Sequence, residues 1–295
     1  MDWLLQAVFA PGFFSSQPVR IAMIVGGAAA IVSGVVGVFA VMRGQSFAGH
    51  SLADISSAGG SAAFLVGANP LLGFVAMALL GGAGMEAFRV RQLRERDLVT
   101  GVVTGAGLGL SALLLYLSVT TTSTRGAAIT VMFGSMFSIS QAIMPLAVAI
   151  GAAALLLVAL LYRPLLLSSL DAELAAVQGV PVRLIETLFL MMLALAVSLS
   201  AITVGAILST ALLVGPAATA LRLASRPGRA LLLAPVVGLV ATFGGILIAY
   251  DSYGWTGGRG WPVSFCIVAL TFLFYLATSL PRGFGVAVLA IDVEV

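Results

Sequence analysis

Two side chains in the first third of the chain have the types and spacing for chemistry. His50 is the only histidine, and Asp54 is the only acidic residue between Asp2 and Glu86. Four residues make about one helical turn, so on a helix both would project from the same face. An imidazole nitrogen beside a carboxylate oxygen makes a cation site. The surrounding chain is 61% hydrophobic with mean hydropathy +1.16, and an ionisable pair at membrane depth needs a partner, a cavity or an ion. The competing reading is a histidine that donates to the carboxylate or to a backbone carbonyl and merely satisfies a polar turn.

Catalytic readings find little support. Ser46 and His50 could be cast as nucleophile and base of an intramembrane hydrolase, but nothing nearby announces a rigid mutual geometry or oxyanion donors. No His-Glu-x-x-His pattern, phosphate-binding loop or Walker lysine is present. The chain is predicted to be no enzyme, so any ATP hydrolysis belongs to another subunit.

The elements that must carry the pair are membrane helices. Charged residues make up 8% of the 295, and none occurs in 21–42, 55–85, 98–124, 126–162, 187–221, 230–250 or 260–281. A spanning helix needs about 20 apolar residues, and each stretch is long enough. Backbone in lipid must satisfy itself, which leaves helices or a closed barrel. Runs this long without period-2 alternation exclude the barrel. The fold class is all-α, a polytopic membrane helix bundle with about 8–9 transmembrane helices.

All 14 basic residues are arginine, and their positions set the orientation. Arg89, Arg91, Arg94 and Arg96, then Arg163 and Arg183, then Arg222, Arg226 and Arg229, and finally Arg282 mark cytoplasmic segments. The net charge of +3 is then a topology signal that calls for no nucleic-acid partner. The same parity places Arg43 inside and gives nine spans, the second at about 46–67. That span is rich in Ser and Gly, which suits a helix packed inside protein rather than against lipid. If it re-enters, the count falls to eight. Residues 1–18 read as an interfacial segment, 19–282 as a single transmembrane domain, and 283–295 as a tail. The small faces at Gly81, Gly82 and Gly84, and at Gly101, Gly105, Gly107 and Gly109, predict close helix approach. Cys266 is the lone cysteine, which excludes an intramolecular disulfide and a thiolate cage.

Punctuation inside the longer runs refines this. Gly134, Ser135, Ser138 and Ser140 predict a short partial helix at about 127–138 before a span over 141–162. A turn at Thr203 to Gly205 splits 187–221 into two spans, and Gly215-Pro216 is predicted to kink the second, at a place where a substrate could pass. In the polar segment 163–184, Asp171 and Glu173 occupy the first turn of a short helix that Gly179, Val180 and Pro181 terminate. Such a helix either turns the chain or docks a soluble partner.

Taken together, these segments resemble the zinc/manganese permease family of ABC transporters. The resemblance rests on Val41-Met-Arg-Gly-Gln-Ser-Phe-Ala-Gly-His50-Ser-Leu-Ala-Asp54, Ala63-Phe-Leu-Val-Gly-Ala-Asn-Pro-Leu-Leu-Gly73, Tyr162-Arg-Pro-Leu-Leu-Leu, Asp171 to Pro181, and Leu213-Val-Gly-Pro-Ala-Ala-Thr-Ala220. It implies a type II ABC importer-like fold in the bacterial plasma (inner) membrane, working as a second copy of itself beside the first, with a cytoplasmic ABC ATPase and an extracellular or periplasmic metal-binding protein. The family pattern Gly-Asp-x-x-x-His appears here with its donors exchanged, and the usual Leu-Pro-Gly is replaced by Ser57-Ala-Gly59. The resemblance implies metal passage by both His50 and Asp54 on the two-fold axis, ATPase coupling through Asp171 to Pro181, and no permanently bound cofactor. The transported ion would be Zn²⁺ or Mn²⁺, with Fe²⁺ also open. The alternatives are an ion-coupled secondary transporter, which usually buries charges in several spans, and an ABC permease for a metal chelate or vitamin, which needs no His/Asp pair.

Overall fold

The computed structural model describes residues 12–13, 15–87, 93–121, 126–255, 258 and 260–279, with side chains placed from residue 100 onward in the 93–121 segment. Among them are eleven α-helices and no strand. They are α1 (Gln17–Met42), α2 (Ser46–Val66), α3 (Pro70–Ala87), α4 (Leu93–Thr121), α5 (Ala127–Phe133), α6 (Met144–Leu170), α7 (Ala172–Val177), α8 (Val182–Val204), α9 (Ser209–Leu223), α10 (Pro227–Trp255) and α11 (Val263–Ser279). Two single-turn 3₁₀ segments, Met136–Ser138 and Gln141–Ile143, join α5 to α6.

Six of the helical stretches are long and apolar enough to cross a membrane, and α11 is a shorter apolar helix. Two of the six, those in α1 and α8, are mostly buried within the protein, while those in α3, α4, α6 and α10 face largely outward. The buried helices form the middle of the bundle. The groups are α1 with α6, α9, α10 and α11 on one side and α2 with α3 and α4 on the other, and α8 touches both. Polar pairs sit at the helix contacts. Ser33 of α1 and Ser200 of α8 share a hydrogen bond of 2.6 Å in full burial, and Ser61 of α2 meets Ser111 of α4 at 3.1 Å.

The second predicted span is one unbroken helix. Its 21 residues reach about 31 Å at 1.5 Å per residue, but it is not among the six helices apolar enough to cross a membrane. Its serines do not break it because each returns its proton to its own helix: Ser51 to the Phe47 carbonyl, Ser56 to Ala53, Ser57 to Asp54 and Ser61 to Ser57. Glycines let its neighbours close in. A Cβ on Gly59 would lie 2.0 Å from the Gly73 carbonyl oxygen of α3, and one on Gly60 would lie 2.5 Å from the Phe74 ring.

Four sequence expectations are adjusted. The span predicted at 141–162 runs on through Arg163 and Pro164 to Leu170, because Leu165 is buried and Ser168 and Ser169 both donate to its carbonyl. Residues 163–170 of the presumed cytoplasmic segment therefore belong to α6. Of the small faces, Gly81, Gly82 and Gly107 do meet neighbours, whereas Gly84, Gly101, Gly105 and Gly109 have nothing within 4 Å. The turn after Thr203 is present, but the 15-residue α9 beyond it is only about 22 Å long, too short to cross the hydrocarbon core by itself. Irregular backbone within a membrane bundle needs internal partners. They come from α5, where Val131 and Met132 accept from Ala206 N–H and Ile207 N–H at 3.0 and 3.3 Å. Finally, Phe13 of the N-terminal segment is buried, edge-on to Tyr250 of α10 at 5.2 Å between ring centroids. The rest of 1–11, Phe14, Arg89, Arg91, Arg282 and the tail 283–295 lie outside the described residues.

Candidate functional site

His50 and Asp54 occupy successive turns of α2 on one face, as their spacing predicts. Nε2 of His50 stands 3.6 Å from Oδ2 of Asp54. That is too long for a hydrogen bond. It is close to the separation of about 3.4 Å that two donors near 2.1 Å from one tetrahedral ion would adopt. The two side chains differ in exposure. The carboxylate is 8% exposed, while the imidazole is 46% exposed and projects from the chain.

Packing fixes the height of the pair. Gly49 gives α2 its approach, since a Cβ there would stand 2.7 Å from Leu213 of α9 and 3.6 Å from Leu193 of α8. Leu193 is the central residue of Val182–Val204, so His50, in the second turn of α2, lies level with the middle of α8. Above it, Ile55 is clasped between Gly81 of α3 and Gly107 of α4, each of which would place a Cβ 2.9 Å from it. The backbone carrying the pair is held from four sides.

The electrostatics at Asp54 are unusual. Ser57 donates to its main-chain carbonyl at 2.5 Å and leaves the carboxylate alone. Among the described residues the carboxylate accepts no hydrogen bond, and His50 is its one ion-pair partner. A carboxylate this buried without a donor is costly, and a cation would offset that cost. No group of three or more His, Cys, Asp or Glu side chains gathers anywhere among the described residues. An ion at this pair would therefore find only two such donors from one chain among the described residues.

The predicted coupling segment is built as its sequence implies. Oδ1 of Asp171 accepts from Leu174 N–H at 2.9 Å and caps α7, with Glu173 in the first turn. Gly179, at φ +81°, ends it by donating to Ala176, while Val180 donates to Ala175. Pro181 then precedes α8. Apart from Ala175 the helix is exposed, with Leu174 47% and Val177 86% open. Pro216 sits buried inside a continuous α9, and Gly215 faces Thr271 of α11, where a Cβ would lie at 2.2 Å. Both are far along the chain from α2, yet Leu213 in the preceding turn of α9 is the residue that packs on Gly49.

Sequence reasoning treated Arg43 only as a topology mark. The structure places its guanidinium on Ser168 and Ser169 of α6 at 3.0 and 3.2 Å and over the Phe189 ring of α8 at 5.1 Å. The signal was a single arginine just before the site helix, but its partners lie some 125 residues away.

The described helices form an apolar bundle with a His/Asp pair on α2 and an exposed capped helix, α7. Residues 15–280 match the model of the ABC 3 transport family, and the chain belongs to that family. It is 30% identical over 256 residues to the manganese import system permease protein ScaB of Streptococcus parasanguinis, covering 86% of this chain and 87% of the relative. To the manganese transport system membrane protein MntC of Halalkalibacterium halodurans it is 29% identical over 243 residues, covering 81% and 80%. Among solved structures it is similar to PsaBC from Streptococcus pneumoniae in complex with Fab, with a TM-score of 0.80, 25% identity and coverage of 93% and 95%. The chain is thus a multi-pass membrane permease of the ABC class with a type II importer-like fold, and the secondary-transporter reading falls.

Proposed function

We propose that this chain is the permease of an ATP-driven importer for Mn²⁺, and that the ion passes between two copies along His50 and Asp54. The observation that carries the reading is the buried Asp54 carboxylate with no hydrogen-bond donor beside a half-exposed imidazole. Two copies supply two nitrogens and two carboxylates, and water fills the remaining positions of an ion that favours six N/O ligands. The donor set suits Zn²⁺ as well, and the manganese names of the relatives favour Mn²⁺. A pair that holds an ion weakly, with its coordination completed by water, lets it leave again, as conduction requires.

ATP would be hydrolysed by a separate cytoplasmic subunit docking on α7 and its Gly179-Val180-Pro181 exit, whose exposed Leu174 and Val177 offer an apolar contact. An extracellular metal-binding protein would deliver the ion. In this reading Gly215 and Pro216 soften α9, because Pro216 leaves the Leu212 carbonyl without its helical donor, one residue from the Leu213 contact with Gly49.

Uptake of Mn²⁺ into vesicles holding the complete transporter tests the site. His50→Ala and Asp54→Ala are each expected to lower uptake by about a hundredfold or more, a loss comparable to removing a partner of a buried charge, while the ATPase still co-purifies. Normal uptake by both variants would sink the assignment.

A further inference from the structure

The site helix and the coupling helix are distant in sequence, and one side chain joins the segments that lead into them. We infer that Arg43 is the positioning residue that transmits movement of the coupling segment to the metal-site helix. The inference rests on the reading that α7 docks the ATPase.

Arg43 caps the C-terminus of α1, three residues before α2 begins. The intervening Gly44, at φ +63°, closes a hydrogen-bonded cap in which Gly44 N–H donates to Val41 at 3.1 Å and Gln45 N–H to Ala40 at 2.8 Å, so the turn ties the start of α2 to the end of α1. On the other side of the contact, Ser168 and Ser169 occupy the last turn of α6, and Asp171, the cap of α7, follows Leu170 directly. Each serine gives its proton to the Leu165 carbonyl, at 3.2 and 2.6 Å. Their oxygen lone pairs are therefore left to accept from the same Arg43 nitrogen, Nη1, and both do. These are charge-assisted bonds, roughly twice as strong as neutral ones. The guanidinium also lies over Phe189 of α8, which restrains it from the opposite direction.

Pro164 makes this a linkage rather than a static staple. Inside α6 it removes the hydrogen bond to the Leu160 carbonyl, and interior prolines are where helices bend. The weak point falls immediately before Leu165, so Leu165 to Val177 forms a short lever comprising the last turn of α6 and all of α7. A push on α7 rocks that lever at Pro164, the serine pair pulls Arg43, and the hydrogen-bonded turn at Gly44 carries the start of α2 with it. His50 lies seven residues beyond Arg43. Coupling of this kind needs an element with two arrangements and a physical chain between sites. Hinge, pin and tied turn supply both.

The test uses the complete transporter with its ATPase and binding protein in proteoliposomes, measuring Mn²⁺ uptake and ATP hydrolysis in the same preparation. Arg43→Ala is expected to keep the complex assembled and basal hydrolysis within about twofold, while Mn²⁺ moved per ATP falls about tenfold, as losing charge-assisted bonds implies. Arg43→Lys should recover part of that ratio. Ser168→Ala with Ser169→Ala, two small changes that leave the helix able to fold, should lower the ratio in the same direction. A wild-type ratio in either Arg43→Ala or the serine pair overturns the linkage, and so does equal loss of uptake and hydrolysis in the serine pair. Val177→Asp separates the underlying reading. If it fails to weaken ATPase binding, docking on α7 is wrong. If it releases the ATPase while the Arg43 and serine variants remain coupled, the linkage alone is wrong.

Discussion

Helices α2 and α4 are built from similar small residues and meet opposite fates. In α2, Gly59 and Gly60 are pressed against α3, and every residue from Ser51 to Ser61 is buried. In α4, Gly101, Gly105 and Gly109 have nothing within 4 Å of a would-be Cβ, and α2 is met by Gly107, against Ile55, and by Ser111, bonded to Ser61. Small residues thus permit close approach without compelling it. What distinguishes α2 is Asp54, an ionisable group in mid-span that has to be kept from lipid. The helix bearing the ionisable pair is the wrapped one, and α4 is part of the wrapping.

The largest effect should come from breaking that wrapping. Gly59→Val sets a branched side chain where even one carbon would lie 2.0 Å from the backbone oxygen of Gly73. Backbone in a packed helix cannot yield as a side-chain end can, so the cost should be about 3 kcal/mol or more. The expected outcome is loss of folded, detergent-soluble protein on size-exclusion chromatography. A monodisperse variant with wild-type melting would mean that α2 and α3 are looser than their crossing implies.

A smaller effect tests what α2 is wrapped around. In the double variant His50→Asp with Asp54→His, both donors and the net charge remain, but each moves by one turn, about 5.4 Å. The carboxylate would then stand at the exposed position and the imidazole at the buried one. If exposure assigns the roles, uptake should fall about tenfold, less than with either alanine variant, since both donors survive. Uptake equal to wild type would show that the pair acts as one ring indifferent to order, and uptake as low as in the alanine variants would show that each depth is indispensable.

Much of this was legible in the chain. Arginine clusters and apolar runs marked the helices, and the bounds of α2 came within a residue because Gly67, at φ +69°, stops it. One-turn spacing placed His50 beside Asp54, and Asp171 with Gly179 announced α7. What sequence could not give was depth and partnership. The irregular turn before α9 is tolerated because α5 supplies its acceptors, and Arg43 matters because Ser168 and Ser169 reach it. Both depend on contacts between segments far apart in the chain. The charge at Arg163 misled, because α6 continues past it and past Pro164 to Leu170, where the flanking residues are apolar and packed.

The smallest expected effect is the sharpest check on the comparison. Replacing Gly101, Gly105 and Gly109 together by alanine adds three methyl groups to α4 where the chain leaves open space. If that face meets lipid, the methyls displace nothing, and alanine in place of glycine stiffens the helix by as much as about 1 kcal/mol per site. Thermal unfolding of the purified protein should then be unchanged or shifted upward, with Mn²⁺ uptake within about twofold of wild type. If instead the open glycines receive a second copy of the chain, the same methyls would hold two helices apart at a small-residue contact. Uptake and co-purification of differently tagged copies would both fall, and α4 would belong, like α2, to an interface rather than to the wrapping.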